Sequence, residues 1–276
     1  MLQRCGFKHI CGIGEILNIT TINVELTDRC NKACWCCGRR KREQLNPSIV
    51  KTYGDMPIEM VYDIAEQLPP DIFVHLHNNG EPLMYPDFEE AVQEFCEQYT
   101  HITTNGKLLL DKFQELELLN TVAISVIEND PEADEQYEII SEYMSKPGRP
   151  FTTLRLNGKV DDKRYLKFNC PIARRNLHSP DGSFEYTAKP TVPETGICQD
   201  LLYHPAINKN GDISICVRYD PEGLGIIGHV NDGIEEVLDG RLRQEYIKAH
   251  FEGRRNDVFL CAKCEYFGIP TGGICT

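Results

Sequence analysis

One tryptophan stands in 276 residues, and basic side chains (29) fall well short of acidic ones (42), leaving a net charge of −13. Nucleic-acid binding draws most of its affinity from neutralising phosphates, so this deficit argues against a nucleic-acid partner. No apolar run comes near the ~18 residues a membrane span needs. The best runs, such as 121–127, are strand-sized. The opening MLQRCGFKHI has no apolar stretch of the secretory kind, so an export signal is not expected. Internal repeats and low-complexity tracts are lacking too. What remains is 41% hydrophobic and 26% charged residues, the make-up of a globular chain with a sizeable core.

Cysteine is the residue in excess. Thirteen is an odd number, and a paired disulfide framework belongs to small secreted chains. The expectation is a reducing, cytoplasmic setting in which clustered cysteines bind metal. Cys30, Cys34, Cys36 and Cys37 form a dense group near the start. Cys198, Cys216, Cys261 and Cys264 form a sparse set in the last third, and the middle is nearly free of cysteine.

Along the chain, β-branched runs at 22–27, 72–77, 101–104, 122–127 and 152–157 alternate with helical patterns. The first helix is expected behind an Asp55 cap with Pro57 in its first turn. The second carries Phe88, Ala91, Val92, Phe95 and Tyr99 on one face, the third follows Asp111, and the fourth runs over 132–144. Such alternation predicts an α/β fold: a partial (β/α) barrel of five to six parallel strands, five being favoured by the short middle. Its chemistry belongs at the C-terminal strand ends. The expected division is an extension over 1–21, the barrel over 22–168, a Pro/Gly-rich linker or substrate loop over 169–196, and a small α+β module over 197–276. Within that module, a strand at 213–217 follows an Asn210-Gly211 turn, and helices start near 234 and span 241–251.

Cys30, Cys34 and Cys37 are separated by three and then two residues. Three thiolates from one tight loop can hold three irons of a [4Fe–4S] cluster and leave the fourth open. A zinc site with Cys36 or a distant cysteine as fourth ligand is the other reading. The run ELTDRCNKACWCCGRR, with Asn79-Gly80-Glu81-Pro82 after strand two and Thr103-Thr104-Asn105-Gly106 after strand three, resembles the radical SAM superfamily. The resemblance implies a cluster on Cys30, Cys34 and Cys37. It also implies S-adenosylmethionine (SAM) bound by the Asn79–Pro82 turn, whose backbone and Glu81 meet its amino group. Thr104 and Asn105 would lie near the ribose, and Ser125 and Arg155 near the carboxylate. The sequence departs from the family at two points. The aromatic residue expected just before the third cysteine is Cys36 here, with Trp35 one place early, and Asn79 replaces a glycine.

Cys198, Gly211, Cys216, Cys261 and Cys264 are spaced like the Twitch module, the first half of the SPASM domain. That likeness implies a second [4Fe–4S] cluster on the four cysteines; a zinc ribbon is the alternative. Spacing and the short middle resemble the radical SAM dehydrogenases of cyclitols such as 2-deoxy-scyllo-inosamine. The implied activity is hydrogen-atom abstraction from a small polar substrate, a sugar or cyclitol alcohol. The second cluster would be its electron acceptor, and a flavodoxin- or ferredoxin-type protein its electron donor. An epimerase, a peptide-modifying enzyme and a zinc scaffold are the competing readings. Cys170 is a candidate hydrogen-atom donor, and His77 and Arg175 are candidate substrate residues, each also readable as packing or solvated side chains. The acidic helix faces, such as Glu89, Glu90 and Glu94, read as solvated.

Overall fold

The computed structural model describes residues 19–177, 198–217, 220, 223–262 and 264. Among them, nine strands form one sheet in the order β6-β5-β4-β3-β2-β1-β7-β8-β9. β1 (Thr21–Val24), β2 (Phe73–His75), β3 (Tyr99–Thr104), β4 (Thr121–Ile127), β5 (Phe151–Asn157) and β6 (Ile172–Arg175) are parallel. β7 (Ala206–Ile207) lies parallel to β1 on its other side, and β8 (Asp212–Ser214) and β9 (Ile226–His229) add antiparallel.

Period-two alternation explains the barrel wall. Ile22, Val24, Val74, Ile102, Val122, Ile124, Leu154 and Leu156 are all buried outward against helices. The covering helices follow chain order. α1 (Arg39–Leu45) comes first, and α2 (Ile58–Gln67) buries Val61 and Ile64. α3 (Phe88–Glu94) buries Phe88, Ala91 and Val92, α4 (Phe113–Leu116) buries Leu116, and α5 (Ala133–Ser145) buries Ile140 and Tyr143. Each such aliphatic or aromatic side chain contributes about 1.5–3 kcal/mol. The C-terminal part adds α6 (Gln199–Tyr203), α7 (Ile234–Leu238), α8 (Arg241–Phe251) and α9 (Phe259–Ala262). It has a second, smaller core of Leu201, Leu202, Ile215, Ile247, Ala249 and Val258, edged by Cys198 and Cys261.

Several expectations change. A sixth strand exists, and it lies inside the stretch read as linker: IARR shows no apolar alternation, yet it hydrogen-bonds to β5 in register. Asp55 caps no helix. Pro57 holds the N-cap position of α2, while Asp55 accepts both ends of the Arg29 guanidinium at 3.0 and 2.6 Å. Tyr99 opens β3 and does not continue the α3 face. The 210–211 turn stands as read, with Gly211 at φ +89° between β7 and β8. No helix among the described residues is long and apolar enough to cross a membrane. The rest of the 178–197 stretch, with Pro180, Gly182, Pro190 and Pro193, lies outside the described residues, as do Cys5, Cys11 and Cys275.

Arg243 staples the small module. It is 1% exposed and donates to the carbonyls of Leu202 (2.6 Å), Leu238 (2.8 Å) and Leu201 (3.4 Å), joining α6, α7 and α8. Methionine would fill the volume but leave these carbonyls unpaired. Arg243→Met is expected to destabilise the folded chain by about 3 kcal/mol, read as a lowered urea midpoint at unchanged slope.

Candidate functional site

The loop leaving β1 carries the first cysteines to the C-terminal end of the sheet. A tight turn, with Cys37 N–H donating to Cys34 O at 3.1 Å, brings the thiols together. Cys34 interacts electrostatically with Cys37, Cys36 and Cys30, and Cys36 also with Glu128 and Asp130. Burial pushes the Cys34 thiol up to about 12 and Cys36 up to about 11, so a thiolate here needs a bound cation. Among the described residues no three Cys, His, Asp or Glu side chains close on one ion-sized point. Three thiolates offered by one short loop are the donor set of a [4Fe–4S] cluster with one open iron.

Behind the loop sits the turn after β2. A Cβ on Gly80 would lie 2.1 Å from the Thr27 carbonyl and 2.8 Å from that of Arg29. Only glycine lets the two turns touch, and Glu81 N–H donates to Arg29 O at 2.7 Å across the contact. The Glu81 carboxylate, 2% exposed, turns inward. It accepts from Thr104 Oγ1 (2.7 Å), Asn105 N–H (2.7 Å) and Leu83 N–H (3.3 Å). Burial nevertheless pushes it up to about 7. Glu81 and Thr104 therefore bracket the two turns together, and what the turn presents to the mouth is backbone. Pro82 is buried at the start of a single 3-10 turn. Asn79 donates from its backbone and side-chain nitrogens to Glu25 Oε1 at 2.8 and 3.0 Å. Asn105 reaches back to Asn31 Oδ1 (2.7 Å) and to Cys30 Sγ (3.7 Å).

The remaining candidates are placed as follows. Trp35 donates to Glu128 O at 2.9 Å, at the end of β4. Ser125 and Arg155 are register partners on β4 and β5, and Arg155 donates to Thr103 Oγ1 at 2.8 Å. Arg175 ends β6 at the mouth, opposite Asn157, and Arg174 on the other face pairs with Asp162. Cys170 precedes β6, beside Arg149 and Leu154, and packs at the edge of the main core.

In the module, burial pushes Cys261 up to about 12, with Cys198 and Cys264 beside it and Arg255 facing all three. Cys216 lines a cleft of about 220 Å³ with Glu25, Asn79, Asn208, Lys209 and Arg42. Its lining comes from the end of β1, the turn after β2 and the β7–β9 part. Glu25 is raised by burial, against the hydrogen bonds from Asn79.

Sequence reading singled out His77 but not the polar group around it. His75 and His77 stack at 5.5 Å, and His101 lies 4.6 Å from His75 and 5.7 Å from His77, ring to ring. His204 meets the His75 ring edge-on at 5.2 Å. Asn23 clasps the group, donating to His77 O (2.7 Å) and pairing with His204 Nε2 (2.6 Å). Thr103 N–H donates to His77 Nδ1 at 3.0 Å, which leaves Nε2 as the protonated nitrogen of the neutral ring. Polar residues at alternate positions (Asn23, Glu25, His75, His77, His101, Thr103) were the available signal.

With this geometry in hand, comparison with known proteins gives the class. The family model described as Radical SAM superfamily matches residues 24–167, and the chain belongs to that superfamily. The family implies a [4Fe–4S] cluster and SAM, which the donor set at Cys30, Cys34 and Cys37 fits. Crystal structures of BtrN share the fold. BtrN in complex with AdoMet and 2-DOIA aligns at TM-score 0.63 and 18% identity, covering 92% of this chain and 96% of that one. Selenomethionine BtrN in an open conformation gives 0.58 and 17%, covering 90% and 92%. No curated protein sequence matches the chain.

Two tests follow. Gly80→Ala drives a Cβ into two backbone carbonyls that cannot swing aside. The expected outcome is loss of SAM binding by isothermal titration, with a stability cost of about 1–3 kcal/mol. The second test uses the histidines. Burial and neighbouring rings push His75 down to about 2 and His77 well below its ordinary value, while burial pushes His101 down to about 4. Below an unfolded value of about 6.5 the unfolded chain takes up protons that these rings refuse. Their contribution is therefore intact above 6.5 and is lost as pH falls toward 4 and below. Urea unfolding at pH 7.5 and 5 should show the wild type losing stability relative to His75→Leu at the lower pH.

Proposed function

We propose that the chain is a radical SAM oxidoreductase that oxidises an alcohol carbon of a small sugar or cyclitol. The observation that carries this reading is the polar cleft lined by Glu25, Asp28, Asn79, Lys209 and Cys216. Carboxylates, amides and cations in a space of that size suit a polyhydroxylated molecule and leave little room for an apolar one. The shared fold with BtrN supports the same class by analogy.

Cys30, Cys34 and Cys37 would hold the first cluster. Asn79 to Pro82, Trp35, Cys36, Thr104, Asn105, Ser125 and Arg155 would surround SAM, with Glu81 and Thr104 acting as braces. When bound, cluster and SAM together supply a 5′-deoxyadenosyl radical. Cys198, Cys216, Cys261 and Cys264 would hold a second [4Fe–4S] cluster in a Twitch-type module and place an electron acceptor at the far wall of the cleft. His77, donating through Nε2, and Arg175 would orient the substrate. The balance is a hydrogen atom to the deoxyadenosyl carbon, a hydroxyl proton to water in the cleft, and one electron to the second cluster. A flavodoxin- or ferredoxin-type protein would return the electron that starts the cycle. The epimerase alternative would need a hydrogen donor at the mouth, with Cys170 as its candidate.

The test is anaerobic incubation of the iron-reconstituted chain with SAM, a reductant and 2-deoxy-scyllo-inosamine. The expected product is lighter by two hydrogens, with one 5′-deoxyadenosine per turnover. A product of unchanged mass would replace oxidation by epimerisation, and stoichiometric zinc without labile sulfide would replace both by a scaffold.

A further inference from the structure

Two residues past Cys37, Arg39 opens α1 and is 4% exposed. Its guanidinium carbon lies 4.2 Å over the Tyr53 ring, and the group is close enough to Cys30 and Cys37 to act on both electrostatically. Its nearest carboxylate, Glu43, is 3.8 Å away and is held more closely by Arg40, at 2.7 Å. Asp28, the next carboxylate, faces Lys209, Arg39 and Arg42 together. Arg40, Arg42 and Lys209 stand on the same side of the cysteine loop as Arg39, while Glu81 acts on Cys30 and Glu128 and Asp130 act on Cys36. The Nε–H of Arg39 is buried and has no acceptor among the described residues, as is also true of Arg40 and Arg42. A buried donor without a partner costs about 1–3 kcal/mol, and such a group calls for an acceptor that the protein itself does not supply.

We propose that Arg39 is the buried counter-charge of the cluster held by Cys30, Cys34 and Cys37, and that it sets the reduction potential of that cluster. Reduction adds one negative charge to an already anionic cluster–thiolate unit. A fixed cation in a poorly solvated setting favours the reduced form, because the attraction is little screened there. The Tyr53 ring holds the guanidinium in place without neutralising it. Arg39 is a positioning and tuning residue, placed to make the one-electron loading step reachable for a biological reductant. The inference rests on the family's cluster and not on the substrate.

The test is a redox titration of the reconstituted full chain with dithionite, followed by electron paramagnetic resonance on the signal that changes when SAM is added. That signal reports the cluster with the open iron. Arg39→Gln should keep its iron and sulfide and show about a tenfold smaller reduced fraction at fixed potential, a shift of about 59 mV to more negative values for one electron. Arg39→Lys should retain most of the wild-type potential. Glu43→Gln removes the shared carboxylate and should move the potential the opposite way, which keeps the test open if Arg39→Gln loses its cluster. Unchanged potentials in loaded Arg39→Gln, or in Glu43→Gln, would overturn the proposal and leave Arg39 a packing residue. No substrate enters the measurement, so its outcome is separate from that of the alcohol-oxidation reading.

Discussion

Glu81 sits where three segments meet. Its N–H reaches the loop that leaves β1, its carboxylate accepts from the turn after β3, and it also caps its own 3-10 turn. Several fixtures of the mouth connect through that node. Asn105, held by Glu81, is the residue that contacts Asn31 and Cys30. Gln136 of α5 donates to Asn105 O at 2.6 Å and to Ser125 O at 2.9 Å, which carries the fixation on to β4. A buried carboxylate costs free energy unless its oxygens are occupied, and here three donors occupy them. The cysteine loop is thereby held by the sheet and does not depend on its own short turns.

The inner face of the barrel is the second unusual feature. A parallel sheet covered by helices ordinarily presents apolar residues on both faces. Here the outward positions obey that rule, and the inward ones carry four histidines, Asn23, Glu25, Thr103 and Arg155. Such an interior gives up hydrophobic stabilisation and needs satisfied hydrogen bonds in its place. The Asn23 clasp, the Thr103–His77 bond and the Arg155–Thr103 bond supply them.

The sequence exposed the barrel where local pattern and tertiary role agree. The covering helices and the first five strands have strong periodicity, and the 241–251 helix appears with both ends as read. It concealed elements that exist only through their neighbours. β6 has no alternation, β7 is two residues long, and α1 is too basic to show an apolar face. The cysteine loop and the Asn79–Pro82 turn were legible because backbone and metal chemistry restrict which residues can stand there. The direction of the Glu81 side chain was not, since a carboxylate in a turn can face either the ligand or the protein. The surroundings of Cys170 were not legible, because they depend on a strand, β6, that its own sequence does not announce.

β1 carries more of the architecture than its four residues suggest. Its C-terminal end launches the cysteine loop, one edge pairs with β2, and the other pairs with β7 of the C-terminal part. Asn23, in the middle, bonds both His77 after β2 and His204 before β7. Glu25, two residues on, accepts from Asn79 and from Lys209 N–H, so it ties the turn after β2 to the β7–β8 hairpin. The two cysteine groups are therefore referenced to the same strand and not to a hinge between domains. A change of separation between them would have to break sheet hydrogen bonds and two buried polar clasps at once. The distance between the two cysteine groups is thus set by strand pairing along β1.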